Sequence, residues 1–322
     1  MVILAGIDEA GYGPLLGPLV VSVAAIQVPP DLLRADLWDL LEPAVAKQKK
    51  HLRGRLLVTD SKKAYTPASG IGHLRRTVLS CLAVMDSHTP PPKTAADLLR
   101  CLCPDAAERL AAYPWHRNLP DLPLAEDPRA VDVAAAVLRN TLAAHNIRLH
   151  TLAARCLDVG YYNHHVRAVR NKSRVLFSQL CGLIADLTAA DHPGPFQFIV
   201  DRQGGRVAYD RELMRMFPRA ELTVIRQDAK TSSYELRRNN KHIRIHFAAG
   251  ADLRFLPVAL ASMLSKYIRE IIMQSQNAYF LDLCTTLKPT AGYWQDGQRF
   301  VRDLTEKLPD LNIDKQKFIR CL

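Results

Sequence analysis

The chain has 322 residues, enough for one large domain or two ordinary ones, and 48% of them are hydrophobic, so a substantial core can form. Lys and Arg outnumber Asp and Glu by 43 to 32, and the resulting formal charge of +11 favours polyanionic partners, nucleic acid first. The seven cysteines form no CxxC pair and no Cys/His zinc spacing, so they read as reduced thiols, most of them buried, in a cytoplasmic protein. Acids at 8 and 9 come too early for a signal peptide. Gly17 and Pro18 break the apolar stretch 14–28, so no membrane association is expected there.

The first apolar run, Met1 to Ala5, reads as a buried strand. It leads into Gly6-Ile7-Asp8-Glu9-Ala10-Gly11-Tyr12-Gly13-Pro14, where two acids stand at the point where the strand should end. Burying bare carboxylates is costly unless they are paired or bind a cation. Gly11 and Gly13 allow close backbone approach. The stretch is a candidate metal and phosphate site; the alternative is a strand end with exposed acids and a hairpin turn. Leu19 to Gln27 is β-rich and should pair with the first strand as a hairpin. Leucine spacing predicts a helix over 31–47, then a basic run to Arg55 that forms a solvated face. A short strand at 56–59 precedes Asp60-Ser61-Lys62-Lys63, and 71–85 has helical spacing.

Prolines recur from Thr89 to about Pro128, and 87–130 reads as a proline-rich insertion with short helices near 95–101 and 105–112. A helix is predicted over 131–146, a strand over 148–157, and one helix from Asn163 to about Thr188 that carries Arg167, Arg170, Lys172 and Arg174. His192-Pro193-Gly194-Pro195 ends that unit. Phe196 to Val200 is a strand with Asp201 at its C-terminal end. A helix at 213–217 and a strand at 220–226 follow, and 231–255 reads as a hairpin insertion. Pro257 opens a long helix to about Ala278, with proline at a first-turn position. The part 279–322 holds a further helix over 297–308. Strands alternating with helices, and carboxylates at strand ends, predict an α/β fold with a mixed central sheet flanked by helices.

Four acids stand out: Asp8, Glu9 and Asp201 at strand ends, and Glu270 on the long helix. Asp210 is a substitute for Asp201, and Glu270 has a simpler role open to it as the partner of Lys266 one turn away. Four hard oxygen donors suit Mg²⁺ or Mn²⁺ rather than zinc. Two such ions can activate a water and stabilise the leaving oxygen of a phosphodiester.

The sequence resembles the type 2 ribonuclease H family, ribonucleases HII and HIII. The segment from Gly6 to Val20 is similar to the family opening GxDExGxGxxxGPxV, and Asp60-Ser61-Lys62-Lys63 to its DSKK loop. Val200-Asp201 is similar to the strand bearing its third acid, and Ala261 to Glu270 to its helix ending on the fourth. Gly292-Tyr293 resembles a later Gly-Tyr whose ring packs at the scissile nucleotide. The segments come in the family's order. The resemblance implies a single ribonuclease H-like domain over 1–322 that ends in the C-terminal helical part 279–322, and the inserts at 87–130 and 231–255 fall outside the resembling segments. It implies that Asp8, Glu9, Asp201 and Glu270 bind two metal ions during hydrolysis of the RNA strand of an RNA/DNA hybrid, leaving 3′-hydroxyl and 5′-phosphate ends. It also implies substrate contacts from Gly11, Tyr12, Gly13, Ser61, Lys62 and Tyr293, with a ribonucleotide-containing duplex as partner and no obligate protein partner.

Tyr12 replaces the arginine usual between the two glycines in ribonuclease HII, and Glu270 replaces its aspartate. Trp294-Gln295-Asp296 differ from the usual continuation after Gly-Tyr, and no N-terminal domain of the ribonuclease HIII kind is expected ahead of the first strand. The open alternatives are a nucleic-acid-binding protein that keeps the fold without catalysis and a nuclease with another substrate.

Overall fold

A computed structural model describes residues 1–85, 92–119, 122–124, 127–189, 194–238 and 240–321. The linker expected at 89–93 and the stop at 192–195 fall partly outside these residues. In chain order the strands and helices are β1 (Val2–Ala10), β2 (Leu19–Val28), α1 (Leu37–Leu40), β3 (Val45–Ala46), β4 (Leu56–Leu57), α2 (Ser61–Ala64), α3 (Gly72–Met85), α4 (Ala95–Leu102), α5 (Pro104–Ala111) and α6 (Pro128–Ala144). Then come β5 (Arg148–Leu157), α7 (Val159–Val169), α8 (Lys172–Ala189), β6 (Phe196–Asp201), α9 (Asp210–Met216), β7 (Glu221–Gln227), β8 (Thr231–Arg238) and β9 (Lys241–Ala248). The chain closes with α10 (Leu256–Leu283), α11 (Trp294–Lys307) and α12 (Lys315–Phe318).

The main sheet has the order β5-β2-β1-β6-β9-β8-β7. It is mixed, as expected: β1 runs antiparallel to β2 and parallel to β6, and β6 runs parallel to β9. Side chains on one strand alternate between the two faces. Val2 and Leu4 of β1 therefore join the core beneath α10, α3 and α6, while Ile3, Ala5 and Ile7 join the opposite core with Leu176, Phe177 and Ile184 of α8. A third cluster links Leu15 and Leu16 to Trp115, Phe280, Phe300 and Phe318.

Three segments differ from the expected elements. Residues 31–47 form only a short 3₁₀ turn, α1 and β3. Proline at 43 cannot donate a helical hydrogen bond and disfavours helix in the residue before it. The spacing instead serves burial, with Leu37, Trp38 and Leu41 in the core. The single helix expected from Asn163 is two helices, α7 and α8. The break is Arg170, left-handed at φ 49°, followed by Asn171, whose side chain accepts from the Arg174 N–H at 3.1 Å. The hairpin expected within 231–255 forms from β8 and β9, but β9 pairs directly with β6, so the segment is built into the sheet.

α10 lies against β1 with almost no clearance. A Cβ added at Gly6 would fall 2.2 Å from the backbone of Pro257 and of Val258. Overpacking of a core typically costs about 1–3 kcal/mol and occasionally more, and this contact belongs at the upper end because only backbone can give way. Gly6→Ala is thus expected to lower the urea midpoint sharply with little change in slope. A loss below about 1 kcal/mol would mean that the helix and strand are not in contact as described.

Candidate metal and nucleic-acid site

β1 carries Asp8 and Glu9 in its last three residues. Asp8 shares the α10 face with Val2 and Leu4, and Asp201 shares it with Ile199. The parallel register pairs Ile7 with Val200, so the next step brings Asp8 beside Asp201. The long-range pairing of β1 with β6 thus places the acids of two distant segments side by side.

Asp8 is 9% exposed. Its carboxylate accepts from the Glu9 N–H at 2.8 Å and from the Ser262 hydroxyl of α10. Burial pushes its pKa well above the usual range, and the charges of Glu9 and Asp201 add to this. Burial and then Asp201 push Glu9 up to about 7. Burial also raises Asp201, against the opposing Ala251 N–H, which donates to it at 2.7 Å. The structure therefore brings together Asp8, Glu9 and Asp201 as three mutually repelling carboxylates.

Glu270 is buried on α10 and is engaged by cations. It accepts from Lys266 Nζ at 2.7 Å and from Arg269 Nη1 at 3.3 Å. Tyr65 also bonds to it, and burial followed by the Glu270 charge pushes that phenol up to about 12. Among the described residues, no three His, Cys, Asp or Glu side chains form a ready ligand set for a metal ion. The donor chemistry nevertheless fits a hard divalent cation, since all four groups are carboxylates and burial raises the proton affinity of three of them, with the charge of Asp201 adding to that of Asp8 and Glu9. Asp210 stands apart and accepts from Gln227 at 3.2 Å.

The expected substrate residues divide. Lys62 is exposed, and its ammonium acts on Glu9, Asp201 and Asp252. Ser61 is buried and its hydroxyl shares a hydrogen bond with that of Ser262 at 3.1 Å, so it is turned inward. Gly11 is left-handed at φ 86°, and a Cβ there would fall 2.5 Å from the Pro18 carbonyl and 2.7 Å from Arg269 Nε. Its lack of a side chain serves internal packing, whereas the space beside Gly13 is open. Tyr12 is half-buried, with Lys172 Nζ 5.3 Å from its ring centroid and a hydrogen bond to Ser173. Tyr293 is 49% exposed at the start of α11, and Arg269 Cζ lies 5.5 Å from its ring centroid.

Sequence reasoning passed over Asp252. It follows Ala251, and burial with the charges of Asp60 and Asp201 pushes it up to about 6. Only the tertiary contact between Ala251 and Asp201 reveals it, and the local sequence carries no such signal.

No protein-family model matches the chain, and no curated protein matches it. Among solved structures, ribonuclease HII of Archaeoglobus fulgidus, determined in complex with PCNA, aligns at a TM-score of 0.43 and 16% identity, over 99% of this chain and 93% of that one. Ribonuclease H2 of Pyrococcus horikoshii OT3 aligns at 0.45 and 14%, over 96% and 90%. Bst-RNase HIII in complex with Mn²⁺ aligns at 0.42 and 16%, over 99% of this chain and 66% of that one.

The raised proton affinity of Glu9 has a thermodynamic sign. Between about 4.5 and about 7 the folded chain holds a proton that the unfolded chain has lost, so metal-free stability falls as pH rises through that window. In EDTA the melting midpoint should drop across it. Added Mn²⁺ should lift the midpoint more at about pH 7.5 than at about pH 5, because bound metal replaces the proton. Equal lift at both values would remove the carboxylates from the binding site.

Proposed function

We propose that the chain is a metal-dependent nuclease of the type 2 ribonuclease H kind, acting on the RNA strand of RNA/DNA hybrids. The observation that carries this reading is the coupled set Asp8, Glu9 and Asp201 at the ends of the parallel pair β1 and β6, under a helix that also bears Glu270. The ordered sequence resemblance adds to it, because the segments that resemble the family's motifs are those that meet at this point. Asp8, Glu9, Asp201 and Glu270 would hold Mg²⁺ or Mn²⁺. Bound there, the ions supply activation of water and stabilisation of the leaving oxygen.

The remaining residues of the site have separate tasks in this reading. Exposed Lys62 takes a backbone phosphate, which adds affinity without sequence preference. The open side of Gly13 admits a ribose, whose 2′-hydroxyl distinguishes RNA from DNA. Tyr12 borders a cavity of about 590 Å³ lined by Arg167, Arg170 and Lys172, a basic wall suited to duplex backbone. Tyr293 offers an exposed ring for stacking, a contact of about 1–3 kcal/mol per base.

A second reading, a hybrid-binding protein without turnover, is favoured by one feature: Glu270 is already held by Lys266 and Arg269. Cleavage decides between them. Labelled duplexes carrying one ribonucleotide, a continuous RNA strand, or DNA only are incubated with Mg²⁺ or Mn²⁺. The nuclease reading expects cutting of the continuous hybrid, loss of turnover in Asp8→Asn, and hybrid binding retained in that variant. Tight binding with no cutting under either ion would select the second reading. Cutting of the all-DNA duplex alone would replace both.

A further inference from the structure

The turn Gly11-Tyr12-Gly13 is held from beneath by a distant part of the chain. Arg320, just beyond α12, is 3% exposed. Its guanidinium donates to the Gly11 carbonyl and, at 3.2 Å, to the Tyr12 carbonyl. Its Cζ lies 4.1 Å from the ring centroid of Tyr162 on α7. The Arg320 N–H donates to the Leu15 carbonyl at 2.9 Å. The strap is itself clamped: buried Asn163 donates to the carbonyls of Gln316 at 2.7 Å and Ile319 at 2.8 Å, and its own oxygen accepts from the Cys321 N–H at 2.7 Å.

Among the described residues Arg320 pairs with no carboxylate, and its Nε is buried without a partner. A buried cation is costly unless its surroundings compensate it. Here the compensation comes from the Tyr162 side chain, which hydrogen-bonds to the guanidinium, and from the carbonyls of one short turn. Without the guanidinium those carbonyls lose their donors, and the turn is held only by the packing of Gly11 and the contacts of the Tyr12 ring, so it opens more often.

We infer that Arg320 is a positioning residue that fixes the Gly11-Tyr12-Gly13 turn against the acid pair and thereby sets recognition of the RNA sugar. The recognition half of this inference rests on the proposed function. The positioning half does not.

Two readouts separate them. The first is nicking by chymotrypsin between Tyr12 and Gly13, which reports opening of the turn in the free protein. Arg320→Met should raise that rate about tenfold or more, since cleavage follows the open population. Its melting midpoint should fall by only a few degrees, since each 1 kcal/mol shifts the midpoint of a large chain by no more than about 2–4 °C. Arg320→Lys, which keeps the cation and one donor direction, should fall between. Asn163→Ala, which loosens the strap and leaves Arg320 in the chain, should raise nicking in the same direction and keeps the test available if Arg320→Met does not fold. The second readout is kinetics on the continuous hybrid, where Arg320→Met should raise KM about tenfold while kcat changes less than about threefold.

Unchanged nicking in both Arg320→Met and Asn163→Ala overturns the positioning role. Raised nicking with KM unchanged overturns the recognition role. Equal loss of kcat and of folded fraction, without selective nicking at Tyr12, reduces Arg320 to a structural residue and also overturns the inference. A wild-type chain that neither binds nor cuts hybrid refutes the proposed function, while the nicking result still decides the positioning role.

Discussion

Arg269 is a guanidinium with no exposure to solvent, and the loops around the candidate site are shaped to it. It donates to the Ala291 carbonyl at 2.8 Å and the Leu16 carbonyl at 3.4 Å, and it lies beside Glu270. Gly11 and Gly292 press on it from two sides, both with positive φ. A side chain at either position would collide with a carbonyl, or with the guanidinium itself. Leaving such a charge unpaired typically costs about 3–5 kcal/mol, and the buried carboxylate of Glu270 beside it offsets that cost. Glu270 thus has two claims on it. It compensates Arg269 and Lys266, and it stands on the helix that covers the acids of β1 and β6. In the proposed reading, a cation at this carboxylate would compete with an ion pair that the core already uses.

The same helix ties the site to the fold. α10 meets β1 at Gly6, supplies the Ser262 hydroxyl to Asp8, and uses Ser265 to bridge the Asp8 carbonyl at 3.0 Å and the Ser22 hydroxyl at 2.8 Å. These small residues let helix and strand approach closely enough for hydroxyl groups to reach buried carboxylates. Larger side chains at those positions would lift the helix away and leave the acids in contact with water. Their raised proton affinity would then relax, because burial is its leading cause.

Much of this was legible in the sequence where the signal is local. An apolar run ending in Asp8-Glu9, and Phe196 to Val200 ending in Asp201, announce carboxylates at strand ends. The proline start of α10 and the β8–β9 hairpin are likewise local features. The left-handed Arg170 that splits α7 from α8 was not legible, because an arginine gives no advance sign of that conformation. Leucine spacing over 31–47 misled for a related reason: burial against α10 and α3 can impose a helix-like spacing without a helix. Asp252 and Arg320 meet the site across long chain separations, and nothing next to them in the sequence encodes that meeting. Ser61 shows the converse limit, since a motif position expected to face substrate turns inward to Ser262.

Arg320 and Gly11 are separated by 309 residues. At typical rates of synthesis, about 5–20 residues per second, the ribosome makes the turn about 15–60 s before it makes the residue that secures it. During that interval the β1–β2 hairpin can form, but β6, α10 and the strap still have to arrive. A nascent chain therefore carries its acids in an unassembled state. In the reading proposed for this protein, the acids and the turn that fronts them are gathered only after β6, α10 and the segment bearing Arg320 have all been made, so assembly of the site is a late event of folding rather than a property of the first hairpin.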